Sequence, residues 1–404
     1  MINRKLLILW LAQLISLLGD QIYLLALPLY VYEMTRSAST MSMVSAFETM
    51  PYILFSVIGG ALADRHHKRR ILTLGNMAAA LPLLLFVLLA YMHWLKLWHV
   101  CACVFVLAVI VSVVNPTFEA TLPTLVQRDQ LLRANALMEL LTPLTAIAGP
   151  ALAGLLISLS GVSSTLLLNA ASFVGAAGLL ALIRVSPAEE SPTGEGVVSV
   201  LRDVLRGFIF ISSARTLRWG VFMSTSSNLV LGSYQVTLIF HMRSGLALRP
   251  AEVGLVMTVT SVVTLLFSLV LVPRIVTAHK SRLMMLALLA QGIAVATIGS
   301  VRNLVAVAAL QSLYAATLAL YVINWRALRQ EITPPGLRGK VAGACRGIAY
   351  AGASIGAIIG AALLSRINVP DLFLLDGALV GLIALVAGLG LRRGERVAGA
   401  PAEA

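Results

Sequence analysis

Charge is scarce in this chain. Only 12% of its 404 residues are Asp, Glu, Lys or Arg, against 59% hydrophobic residues, and mean hydropathy is +0.92. A water-soluble chain of this length needs far more polar surface, so the composition excludes a soluble globular protein and indicates a polytopic helical membrane protein. Aromatic residues make up only 6%, which leaves Leu, Ala, Val and Gly to fill lipid-facing and helix-packing positions. Cysteine is almost absent. Cys101, Cys103 and Cys345 lie in or beside apolar runs, which suits packing and excludes a disulfide framework. His66, His67, His93, His99, His241 and His279 fall at loops or ends of apolar runs, without the spacing of metal ligands. No metal and no cofactor is expected. No G-x-x-x-x-G-K-[ST] phosphate loop is present, so ATP-driven work has no support. No nucleophile–base pair and no appended soluble domain argue for an enzyme or a receptor.

Long apolar runs are what the chain does have. About 20 apolar residues span a bilayer as a helix. Twelve such spans can be read, over 6–31, 40–63, 71–92, 97–119, 133–158, 162–184, 216–241, 251–274, 282–301, 303–326, 341–365 and 371–391. The first follows Met1–Lys5 without a cleavage site and reads as a membrane span, not a removable signal. With the N-terminus inside, the outer loops hold only Arg36, Lys96, Arg243, Arg249, Arg302 and Arg366 of the 30 Lys and Arg. That bias places both termini in the cytoplasm, and a bacterial plasma (inner) membrane is expected. The formal charge of +13 is spread over loops and forms no contiguous basic domain, so no nucleic-acid partner is expected. One long polar stretch divides the chain. The expected organisation is a six-helix bundle over 1–186, a cytoplasmic linker with a short interfacial helix over 187–214, a second six-helix bundle over 215–394, and a cytoplasmic tail over 395–404.

The halves read as repeats. A shift of 207 residues places Glu119 on Arg326, Arg133 on Lys340, Glu139 on Arg346, Gly149 on Gly356 and Ser158 on Ser365. Asn228 falls on Asp20 at nearly the same shift. Glu119, Glu139, Arg326 and Arg346 sit at cytoplasmic ends of spans and carry opposite charge in the two halves. Such pairs could close an inner gate.

The loop Gly60-Ala-Leu-Ala-Asp64-Arg65-His66-His67-Lys68-Arg69-Arg70 joins the second and third spans. It resembles the G-x-x-x-D-R-x-G-x-R-R signature of the major facilitator superfamily. Gly60, Asp64, Arg65, Arg69 and Arg70 fall on the pattern, and His67 stands where many members have Gly. Leu18-Gly-Asp-Gln21, Leu132-Arg-Ala-Asn-Ala-Leu137 and Gly149-Pro150-Ala-Leu-Ala-Gly154 are similar to stretches of the bacterial drug-efflux branch of that family, which includes macrolide and siderophore exporters. The last resembles the antiporter motif G-P-x-x-G-G, with Ala153 in place of one Gly. The resemblance implies parallel halves with a substrate site between them and alternating access by rocking. It also implies a gating role for the Asp64 loop.

Asp20 and Glu48 lie well inside their spans. Asp20 is roughly 16 Å below the outer end of the first span, and Glu48 about 12 Å below that of the second. An acid at such a depth is costly as an anion unless it is solvated, paired or protonated, so Asp20, with Glu48, is the expected carrier of a coupling proton. Gln13, Ser16, Asp20 and Tyr23 recur at three- and four-residue spacing and form one polar stripe. Ser224, Asn228 and Gln235 share a face of the seventh span, and Gln311, Tyr314, Tyr321 and Trp325 a face of the tenth. These groups are the candidate lining of a substrate cavity for a mid-sized amphiphile. The function read from the sequence is proton-coupled export of small amphiphilic molecules by a monomer in the lipid bilayer. Import by proton symport is the alternative, and a membrane receptor or enzyme a remote one.

Overall fold

The computed structural model describes residues 4–53, 55, 67–183, 197–275 and 280–398, and these are helical with short connections. The helices are α1 (Arg4–Thr35), α2 (Ala38–Thr49), α3 (Lys68–Tyr91), α4 (Leu97–Thr121), α5 (Leu131–Glu139), α6 (Leu141–Ala181) and α7 (Val197–Ser213). They continue as α8 (Arg215–Phe240), α9 (Pro250–Leu266), α10 (Lys280–Ile298), α11 (Leu304–Ile332), α12 (Arg338–Leu364) and α13 (Val369–Ala398). A π-turn at Phe267–Leu271 carries α9 on to Ile275.

Among the described residues, nine helical stretches are long and apolar enough to cross a membrane. One of these, Leu131–Ala181, holds two of the spans read from the sequence. Two further spans fall on α8 and α2. Ser224-Thr-Ser-Ser-Asn228 lowers the hydropathy of α8. α2 is short, and most of the sequence that follows it, with Gly60, Asp64 and Arg65, lies outside the described residues.

Several helices run past their apolar stretch. α11 continues to Ile332, beyond the sequence-read limit of 326, through Ala327-Leu-Arg-Gln-Glu331. Those residues all favour helix. It stops at Thr333, which adopts φ −91°, ψ 124°, because the residue before proline avoids the helical region. Side chains close other ends. Ser37 accepts from the Thr40 amide at 3.2 Å at the start of α2, and Asn303 accepts from the Ala306 amide at 2.8 Å at the start of α11. Both satisfy amides that the helix leaves unpaired.

By internal packing the chain divides into two units. The first is Met1–Val200 with Leu248–Thr258, and the second is Leu201–Ala247 with Val259–Ala404. In the first unit, Leu6, Leu9, Leu72, Phe118, Leu122, Leu180 and Ile183 form a buried cluster from α1, α3, α4 and the end of α6. Trp10 Nε1 donates to the Leu137 carbonyl at 3.1 Å, just before the break between α5 and α6.

α6 is a hairpin. Gly161 adopts φ 81°, ψ 168° in its middle. A Cβ on Gly149 would meet Gln21 Cγ at 3.3 Å, and a Cβ on Gly19 would meet Ser172 Cβ at 2.9 Å. Residues 149 and 172 stand almost equally far from Gly161 on either side, and both meet the same turn of α1. The two arms are therefore antiparallel and clasp α1 between small residues, the device that membrane helices use for close approach.

The second unit repeats part of this. Gly356 of α12 lies on Leu229 of α8, where a Cβ would meet the Leu229 Cα at 2.8 Å. Gly356 is Gly149 shifted by 207, and Leu229 is Gln21 shifted by 208. The corresponding glycine meets the corresponding neighbour in each unit.

Candidate functional site

In the first unit the polar stripe of α1 is Gln13, Ser16 and Asp20, each half-buried, followed by buried Tyr23. Glu48 of α2 is also half-buried. Asp20 and Glu48 lie within electrostatic reach of one another, and both lie within reach of Tyr23. Tyr52 belongs to the same group. No described Lys or Arg forms an ion pair with either acid. The Tyr23 hydroxyl is buried without a hydrogen-bond partner among the described residues. A small apolar pocket, with room for about one water molecule, lies beside it, lined by Leu27, Phe86, Cys103, Leu107 and Leu166 among others. Two neighbouring acids with no ion-paired cation among the described residues can bind and release protons.

The stretch Gly149–Gly154 is a contact surface. Gly149, Pro150 and Gly154 are all buried. Gly149 seats Gln21, so two stretches singled out in the sequence touch each other. Gly154 faces the start of α9, where an added Cβ would meet the Pro250 carbonyl oxygen at 2.8 Å and the Gly254 Cα at 3.2 Å. Thr258 Oγ1 donates to the Ile147 carbonyl at 3.1 Å, next to the Ala146 carbonyl that Pro150, lacking an N–H, cannot serve. These contacts explain why Leu248–Thr258 packs with the first unit.

Arg69 donates to the Ala181 carbonyl at the end of α6, closing a helix terminus with a cation. Arg70 is exposed, as are Glu119, Glu139, Arg326 and Arg346.

In the second unit, Ser224 and Asn228 are half-buried and Gln235 is exposed. Asn228 Nδ2 donates to the Ser224 carbonyl at 2.8 Å. Gln311, Tyr314, Tyr321 and Trp325 are buried. Tyr234 donates from its hydroxyl to Gln311 Oε1 at 2.6 Å and stacks on Tyr314 with ring centroids 4.3 Å apart. Tyr321 lies close to Ser224, without a completed hydrogen bond at its hydroxyl. Trp325 fills the space over Gly220, where a Cβ would meet its Cε3 at 2.7 Å. Arg329 lies 5.9 Å over the Trp325 ring and reaches Cys345.

Two polar residues of the second unit escape a reading of the sequence. Gln291 on α10 and Asp376 on α13 are both buried. The signal was there for Asp376, a lone acid in the run Leu374-Leu-Asp-Gly-Ala-Leu379. Its place near the start of the last span makes it look like a boundary residue.

Comparison with known proteins bears on both halves. Macrolide efflux protein A of Streptococcus pyogenes is 27% identical over 176 residues, which is 44% of this chain and 44% of that protein. The chain thus matches less than half the length of that relative. The multidrug efflux pump Tap of Mycolicibacterium fortuitum is 25% identical over 381 residues, covering 91% of each chain. Among solved structures, the nucleoside transporter NupG superposes with a TM-score of 0.77 at 12% identity, covering 96% of this chain and 100% of that one. At that identity the likeness speaks for the fold alone. The family model for the Major Facilitator Superfamily matches residues 9–247 and 220–404. The span pattern, the clasped glycines and this match across nearly the full length agree, and the chain is a multi-pass membrane transporter of the Major Facilitator Superfamily.

Proposed function

We propose that this transporter exports small amphiphilic molecules in exchange for protons, with both termini in the cytoplasm and the two units moving to give alternating access. The pair Asp20 and Glu48 carries the reading. Both acids are half-buried, share a neighbourhood with Tyr23 and have no cation paired to them among the described residues. An anion in that setting is expensive, and taking up a proton relieves the cost. Gln13, Ser16, Ser224, Asn228 and Gln235 keep enough exposure to meet a substrate. Gln311, Tyr314, Tyr321 and Trp325 are packed more deeply and would shape that surface from behind. Relatives named for macrolide and multidrug efflux support export of a drug-like substrate.

Everted vesicles energised with a proton gradient test the direction. Adding an exported macrolide or dye should accelerate proton leakage from the lumen and accumulate the compound inside. Proton co-movement with the substrate out of the lumen would instead mark an importer.

A further inference from the structure

α10 and α13 meet backbone to backbone. A Cβ on Gly292 would lie 2.7 Å from the Gly377 carbonyl oxygen and 3.0 Å from the Gly381 nitrogen, and one on Gly377 would lie 2.5 Å from the Ala296 nitrogen. The residue before each of those two glycines is polar. Gln291 is 0% exposed and Asp376 is 7% exposed. Tyr314 of α11, 3% exposed, lies within electrostatic reach of Asp376 and beside Gln291. Its ring is fixed by the stack on Tyr234, whose other neighbour is Phe373, one turn before Asp376, at 5.8 Å between centroids.

The polar atoms here are unusual for a packed interior. Asp376 Oδ2, both side-chain atoms of Gln291 and the Tyr314 hydroxyl are buried, and none completes a hydrogen bond among the described residues. Buried polar atoms in folded proteins nearly always have partners, and a cluster of exceptions asks for a physical account, such as a proton, a water or an ion. No described Lys or Arg pairs with Asp376. The titratable groups around it are Tyr314 on α11, Tyr234 on α8 and His241 at the end of α8. The His241 ring sits edge-on to Phe373, and its Nε2 faces the Val301 carbonyl at 3.3 Å. α10 supplies Gln291 there, and its Lys280 and Arg282 stand at its first turn. The cations Arg338, Lys340 and Arg346 of α12 lie in its opening turns, and Asp371 lies in the first turn of α13. A bare carboxylate in this place would be an uncompensated buried charge, which costs several kcal/mol.

We propose that Asp376, with Gln291 and Tyr314, is a second proton-binding site, housed within the second unit and separate from Asp20 and Glu48. A proton on Asp376 turns an unpartnered acceptor into a donor, and Gln291 Oε1 is an unpartnered acceptor in the same cluster. The Gln291 amide can then donate to the Tyr314 hydroxyl. The Gly292–Gly377 contact holds Gln291 and Asp376 at one level, so the site is built by the helix crossing itself. The part this proton plays in transport rests on the proton coupling proposed above, whereas its presence does not.

Infrared spectroscopy of the full-length protein in lipid nanodiscs tests the site directly. At neutral pH a protonated-carboxyl band should be present in the double variant Asp20→Asn/Glu48→Gln, which lacks both acids of the first site, and vanish when Asp376→Asn is added. With Gln291→Leu added instead, the band should persist but move to the frequency of a free carboxyl. That second variant decides the matter if Asp376→Asn does not fold. A band unchanged by Asp376→Asn, or unmoved by Gln291→Leu, overturns the site. So does a band that sodium abolishes at constant pH, since the occupant would then be a metal cation. In everted vesicles Asp376→Asn should export fewer protons per substrate while still transporting. Wild-type stoichiometry in that variant would overturn the coupling role, and absence of any proton coupling in wild type would sink the functional reading above without touching the band.

Discussion

Position 20 on α1 carries an acid, and position 228, its counterpart on α8, carries an amide. Asp20 is half-buried, close to Glu48, and has no ion-paired cation among the described residues. Asn228 is also half-buried but is tied by its Nδ2 to the Ser224 carbonyl. The second unit has its own membrane acid elsewhere, on α13, and there it is sealed in. The packing around these positions has been kept. Gly149 seats Gln21 and Gly356 seats Leu229, at matching places in the two units. Helix clasping is thus the conserved half of the repeat within this chain, and the charged chemistry is the half that differs. One unit leaves its acids half-buried, and the other seals its acid between helices.

The largest effect that could break this contrast is at the half-buried acids. Asp20→Asn should abolish proton-driven efflux in everted vesicles while the protein remains folded in the membrane, because the amide has the same shape and cannot carry a proton. Normal efflux at equal expression would remove Asp20 from the mechanism. The reciprocal change sharpens the point. Asn228→Asp loses a donor to Ser224 and should lower stability by about 1–3 kcal/mol, read as a drop in the midpoint of detergent-solubilised thermal unfolding.

Next come the clasps. Gly154→Leu has only backbone to push against at Pro250 and Gly254. Gly356→Leu likewise meets the backbone of Leu229. Each should cost on the order of 1–3 kcal/mol through overpacking and slow turnover more than it weakens substrate binding. Parallel transport and binding assays would show whether the two units respond alike. A harmless Gly356→Leu would mean that the repeat is one of sequence only.

A smaller change is expected for Asp64→Asn, whose loop lies outside the described residues. A bias of about 1.4 kcal/mol between two conformations alters their ratio roughly tenfold. Single-cysteine labelling from the two sides of the membrane, in a background lacking Cys101, Cys103 and Cys345, would detect it. Equal labelling of wild type and variant would leave the loop as a topology signal. The smallest effect belongs to Glu331→Gln. Glu331 pairs with Lys280 across α10 and α11 but is 59% exposed, so its loss should cost less than about 1 kcal/mol, within the error of a thermal unfolding curve.

Much of the fold was legible because hydrophobic run length is a direct consequence of bilayer thickness. Every sequence-read span has helix under it among the described residues. The errors are at ends such as Arg326–Glu331, where the helix outlasts the apolar stretch because its polar residues are also good helix formers. The stripe of Asp20 was legible too, since helical spacing shows in one dimension. What stayed hidden depends on helix pairing. Gln291 and Asp376 are 85 positions apart in sequence, and only the glycine crossing of α10 and α13 shows that they share one buried place. The partner of Gly154 was equally invisible, because nothing in Gly149–Gly154 says that its neighbour is Pro250.

Gly161 carries a last consequence. Its φ of 81° with ψ of 168° is backbone that an L-residue adopts only at a cost of about 1–3 kcal/mol. Yet a Cβ there would touch nothing within 4 Å. The constraint at this turn is therefore one of handedness alone. Gly161→Ala should strain the hairpin through its backbone alone, with no neighbour for the added methyl group to push against.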